Sequence, residues 1–143
     1  MKKQFILSAA IVLASSIVLI SCKKDEEDTK NNNNNTPPAL TANISVAAPV
    51  AGTTYESGDE VHIDVTVTAD FDMHGYEAYL INLTADDTLW SVDAHDHGST
   101  YTIHEHWTNN VTEHSDMKLK VVATLDHDGS LATKEVAFHC HPM

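Results

Sequence analysis

Arginine is missing from this chain of 143 residues, and eight lysines face twenty-one aspartates and glutamates, for a formal charge of −13. Nucleic-acid binding is thereby excluded, because nothing here could neutralise a row of phosphates. An acidic surface instead stays soluble and favours cations. Cysteine is scarce too, with Cys22 near the start and Cys140 near the end. An even count in an exported chain would ordinarily suggest a bridge, but the position of Cys22 points to another use. No segment carries the 3.6-residue period of an amphipathic helix, and the longest apolar run falls short of the ~20 residues that a spanning helix prefers. Histidine, by contrast, is abundant. Ten are present, and six of them form the His-x-His pairs His95/His97, His104/His106 and His139/His141.

Met1-Lys2-Lys3 followed by the apolar run Phe5–Ile20 has the charged and greasy regions of an export signal. The run ends in Leu19-Ile20-Ser21-Cys22, which resembles the lipobox of bacterial lipoproteins. That resemblance implies cleavage before Cys22 and lipidation of Cys22, leaving the protein tethered to a membrane in the cell envelope of a Gram-negative bacterium. Cleavage would remove Lys2 and Lys3 and leave six lysines against twenty-one acids, a charge of −15. Lys23, directly after Cys22, stands where some lipoproteins carry the aspartate that keeps them at the inner membrane, so an outer-membrane lipoprotein is expected, facing the periplasm or the surface. The acidic run Asp25-Glu26-Glu27-Asp28 resembles the tether of surface-exposed lipoproteins, or is a solvated spacer. Five consecutive asparagines and Pro37-Pro38 read as linker with nothing to bury. The expected organisation is a signal over residues 1–21, a lipidated linker over 22–39 and one folded domain over 40–143.

Within the domain the pattern is all β. Val61, Ile63, Val65, Val67 and Ala69 alternate with polar residues, which defines a half-buried strand. Further strands are expected at Asn43–Ala48, Tyr76–Leu83, Thr88–Val92, Thr100–Trp107, Met117–Leu125 and Leu131–Cys140. Asp126-His127-Asp128-Gly129-Ser130 is a hairpin turn between the last two. Seven short strands in about 100 residues argue a seven-stranded immunoglobulin-like β-sandwich. The run Ile44–Val67, with Pro49, Gly52, Tyr55, Gly58-Asp59 and Val61, Ile63 and Val65, resembles the start of bacterial Ig-like domains. That group includes adhesion, spacer and glycan-binding modules, so the fold settles no function.

Counting strands as alternately up and down sorts the histidines by rim. One rim collects His74, His95, His97 and His127 on loops, with Asp70, Asp72, Asp96, Asp126 and Asp128 interleaved. The other collects His62, His104, His106, His114, His139 and His141, of which His114, beside a turn, reads as an exposed residue. Neutral imidazole is the commonest transition-metal ligand, and residues two apart on a strand share a face about 6.5–7 Å apart. Both rims are therefore candidate sites for copper or zinc. A mixed His/Asp set disfavours calcium, which prefers oxygen alone. Cys140 reads as a small buried residue, with a thiolate ligand as the alternative. The acidic loops have an ordinary turn reading as well, since Asp and Gly suit turns for backbone reasons.

His139-Cys140-His141 with the other pairs resembles multicopper oxidases, but that family draws its pairs from different domains, and one modest domain is present here. The clustered histidines also resemble copper–zinc superoxide dismutase. That family needs a guiding arginine, which is lacking, and a disulfide, which a lipidated Cys22 could not supply. No strained nucleophile motif is present, although Glu105 between two histidines could act on metal-bound water. The expected function is therefore metal sequestration, delivery or sensing without turnover, weakening below about pH 6 as imidazoles take up protons. The alternatives are a metal-free surface module for a protein or glycan, or a domain whose histidines charge together and loosen it in acid.

Overall fold

Val61, Ile63, Val65 and Val67 are at most 2 % exposed, while His62 and Thr66 between them face solvent. Period-two alternation has become a strand with one face in the core, and each such side chain contributes about 1.5–3 kcal/mol of burial. The computed structural model describes residues 39–143, which contain no helix. The leader, Cys22 and the linker lie outside the described residues. The strands are β1 (Asn43–Ala48), β2 (Thr54–Tyr55), β3 (Glu60–Met73), β4 (Gly75–Asn82), β5 (Asp87–Ala94), β6 (Gly98–Thr108), β7 (Ser115–Thr124) and β8 (Leu131–Cys140).

They form two sheets, of order β1-β3-β6 and β2-β8-β7-β4-β5. Ile63, Val65, Val67 and Ile103 from the first sheet pack with Leu119, Val121, Ala123 and Val136 from the second. At the other end Val61 meets Leu80, Met117, Phe138 and Cys140. The domain is an immunoglobulin-like β-sandwich.

Two expectations need correction. There are eight strands, because Thr54 and Tyr55 pair in parallel with His139 and Cys140 on the edge of β8. The chain is also no simple meander: β6 leaves β5 and pairs with β3, Val61 opposite Trp107 and Thr68 opposite Thr100. From β3 onward strand direction still alternates, so the ends meet as expected, but the faces do not. β3 also runs past Ala69, through a register shift, until buried Met73 pairs with Gly98. Asp70 and Asp72 consequently stand exposed on a strand rather than in a loop.

Candidate metal centre

Carrying the β7–β8 register one step beyond Ser115 opposite Cys140 sets His114 opposite His141. His139 precedes Cys140 opposite Asp116. These three histidines cluster: one nitrogen from each lies within 4.8 Å of the other two. The ring centroids are 4.6 Å apart for His114 and His141, 5.1 Å for His139 and His141, and 5.9 Å for His114 and His139. Imidazoles bound through nitrogen at about 2.0–2.1 Å to one tetrahedral ion would have centroids about 5 Å apart. The rings therefore already sit near ligand spacing.

Two carboxylates buttress them. His139 Nδ1 lies 3.0 Å from Asp116 Oδ1, and His141 Nδ1 lies 3.2 Å from Glu56 Oε1. A carboxylate can only accept, so each neutral ring carries its proton on Nδ1 and keeps the Nε2 lone pair. A carboxylate behind the imidazole in this way fixes the tautomer and raises ligand basicity. β2 supplies the Glu56 contact, because its pairing with β8 lets His141 N–H donate to the Tyr55 carbonyl at 2.9 Å. His114 is held by its neighbour: the buried Ser115 hydroxyl donates to the Glu113 carbonyl at 2.9 Å and accepts from Asn82 at 3.2 Å.

Cys140 does not join this set. It alternates to the core face, is fully buried and, among the described residues, has no disulfide partner. Burial, with Asp59 nearby, pushes its thiol up to about 11, so it behaves as a packed apolar residue rather than a thiolate.

His104 and His106, expected on the same rim, belong to the other sheet. Both lie on β6, with Asp64 opposite His104 and His62 opposite His106 on β3. The His104 ring contacts the Asp64 carboxylate through Nδ1 and is 80 % exposed. These residues form a separate patch on the outer face of the three-stranded sheet. Strand order parts them from His139 and His141, and a count of strand ends does not reveal strand order.

The loop rim gathers as expected. His74 sits at the corner between β3 and β4, where Gly75 pairs with Thr124, Tyr76 with Ala94, and Met73 with Gly98. His74 and His127 have centroids 3.7 Å apart, His74 and His97 4.5 Å, His95 and His97 5.8 Å, and His97 and His127 6.1 Å. Gly75 has φ +140°, and a Cβ there would lie 2.3 Å from the Ala94 carbonyl oxygen. Only glycine lets the corner come this close to the His95 loop. The Tyr101 hydroxyl, 3.0 Å from the Met73 carbonyl and 2.5 Å from that of Asp96, ties corner and loop together.

Two of the neighbouring carboxylates are engaged by the backbone. Asp126 accepts from the Asp128 and Ser130 N–H groups and the Ser130 hydroxyl, at 2.7–3.0 Å, and those bonds, the hydroxyl's first, hold it below the usual carboxylate range. Asp96 accepts from the His97 N–H at 2.8 Å. Asp72 and Asp128 are exposed. Among the described residues, none of Asp72, Asp96 and Asp128 enters a three-ligand group with the spacing of the His114 set. The loop-rim histidines do not meet that spacing as placed either.

Fold and clusters together define a small, histidine-rich immunoglobulin-like sandwich. No protein-family model matches the chain, and no curated protein matches it. Among solved structures it is similar to a chain of the Clostridium thermocellum CbhA fibronectin(III)-like modules, with TM-score 0.44 and 24% identity over 70% of this chain and 97% of that one.

Proposed function

We propose that the protein is an exported, lipid-anchored binder of a transition metal ion, copper or zinc, serving sequestration, delivery or sensing. The supporting observation is the cluster of His114, His139 and His141, with two of its rings backed by Asp116 and Glu56. Three imidazoles fill three of the four positions of a tetrahedral shell and leave one for water or an exchanging ligand. An open position suits a protein that takes up and gives away its metal. Imidazole donors suit zinc and copper over magnesium or calcium. Tethering rests on the lipobox-like Leu19-Ile20-Ser21-Cys22.

The test is a titration of the untagged chain in mild detergent with Cu²⁺ and Zn²⁺, following bound metal and thermal stability. Binding at this centre should disappear in His139→Ala/His141→Ala. It should weaken about 10–100-fold in Asp116→Asn, whose only role is behind the ring. Affinity no better in the native chain than in His139→Ala/His141→Ala would sink the reading and leave a tethered interaction module. Replacing Cys22 with Ser should move the protein from the membrane to the soluble fraction.

A further inference from the structure

Among the described residues one buried side-chain nitrogen or oxygen lacks any partner, and it is Nδ1 of His74. Buried polar atoms are almost always paired, so an orphan in a cluster of metal-ligand side chains needs a reason. Its surroundings are three more imidazoles, from the loop after β5 (His95, His97) and the turn after β7 (His127). A neutral ring with a free lone pair is the form a metal requires.

Mere aromatic packing does not account for this. His95, His97 and His127 are exposed, so the contact between their rings buries little. The chain also holds the arrangement deliberately in place: Gly75 permits the close approach, Tyr101 ties two of the segments, and Asp126 folds the turn that presents His127.

We propose that the loop rim is a second, separate transition-metal site, in which His74 through Nδ1, His97 and His127 bind the ion and His95 completes the shell. It shares the chemistry of the proposed function and none of its residues. Centroid spacings of 3.7–6.1 Å bracket the value of about 5 Å for imidazoles around one tetrahedral ion. Loading requires the His74 and His127 rings to part and all four to turn their nitrogens inward. The exposed side chains of His95, His97 and His127 are free to do so. With the Asp126 and Asp96 carboxylates engaged by backbone N–H groups, the donor set is led by imidazole. That selects a borderline ion such as Zn²⁺ or Cu²⁺ over oxygen-seeking Mg²⁺ or Ca²⁺.

The experiment loads the untagged full chain in mild detergent with excess Zn²⁺ or Cu²⁺, removes free ion, and measures metal per chain. Two equivalents are expected. His74→Ala/His127→Ala should retain one, His139→Ala/His141→Ala should retain one, and the fourfold variant none. If the rim pair misfolds by circular dichroism, His97→Ala/His127→Ala, both on exposed loops, makes the same comparison. One equivalent in the native chain, lost with the His139/His141 pair and indifferent to the rim pair, overturns this inference and leaves the proposed function standing. One equivalent lost only with the rim pair does the reverse. No retained metal overturns both.

Discussion

Asn109 is 1 % exposed and ties together three parts of the chain around the His114 cluster. Its side-chain nitrogen lies 3.2 Å from the Tyr55 carbonyl, 2.9 Å from that of Glu56 and 3.0 Å from that of His141. Two hydrogens thus serve three acceptors. Its main chain adds an N–H donated to the Asp59 carbonyl and a carbonyl accepting from Gly58 N–H, both at 2.8 Å. Asn109→Ala keeps the main-chain bonds and removes both side-chain donors. Each lost bond costs about 1 kcal/mol net, and a carbonyl left dry costs about 1–3 kcal/mol, so a loss of about 2–4 kcal/mol is expected. Asn109→Asp has nearly the same shape but aims an anionic oxygen at carbonyl oxygens. It should be worse than alanine at pH 7.

The sign of the pH dependence follows. A carboxyl introduced where its charge is unwelcome has a folded pKa above its unfolded value near 4. Its neutral form supplies one O–H donor, so stability is fully present below about pH 4 and is lost as pH rises through the folded value. Urea melts of the native chain and both variants at pH 7 and pH 4 test this. With a slope of about 1–3 kcal/mol per molar urea, the alanine variant's midpoint should fall by about 1 M or more. The gap between aspartate and alanine should shrink or reverse in acid. An alanine variant within about 0.5 kcal/mol of native, well under the cost of one dry carbonyl, would refute the reasoning. So would an aspartate variant that tracks alanine at both pH values.

Two further outcomes are expected at the loop rim. Gly75→Ala forces a side chain into φ +140° and against the Ala94 carbonyl, combining about 1–3 kcal/mol of backbone strain with a similar overlap cost. Denaturant unfolding should show a loss of at least 2 kcal/mol, within the ~2–6 kcal/mol those terms allow, and a loss under about 1 kcal/mol would contradict it. Tyr101→Phe removes the hydroxyl shared by the Met73 and Asp96 carbonyls. Burial, and secondarily Asp96, raises the Tyr101 pKa, so its contribution is full below the unfolded value near pH 10 and is lost as pH rises through the folded value. The native chain should therefore be the more stable at pH 7, and the gap in melting temperature should close in alkali. A gap constant from pH 7 to 11 would show that the hydroxyl carries no such linkage.

Which features could be read from residues alone follows from their range along the chain. Alternation is local, so β3, and the β7–β8 hairpin around Asp126–Ser130, are legible, and with them the immunoglobulin-like class. Strand ends are nearly as accessible, because successive antiparallel strands alternate direction whichever sheet they join. That is why His74, His95, His97 and His127 meet. Sheet membership is not local: whether β6 pairs with β5 or β3 depends on the whole core, and this choice separates His104 and His106 from His139 and His141. β2 is two residues long and carries no alternation, yet without it Glu56 would not stand behind His141. His114 is the instructive case. Nothing in its own neighbourhood marks it, but a hairpin constrains every pair along its length. Its turn at Asp126–Ser130 sets Leu131 opposite Thr124, and the same register, unbroken to Ser115 and Cys140, leads to His114 against His141. A side chain that looks like an incidental surface residue beside its own turn thus becomes the third corner of a cluster once the distant turn is counted. In an all-β chain such hairpin registers are where cross-strand ligands should be sought first, because the turn specifies them at ten residues or more from the site.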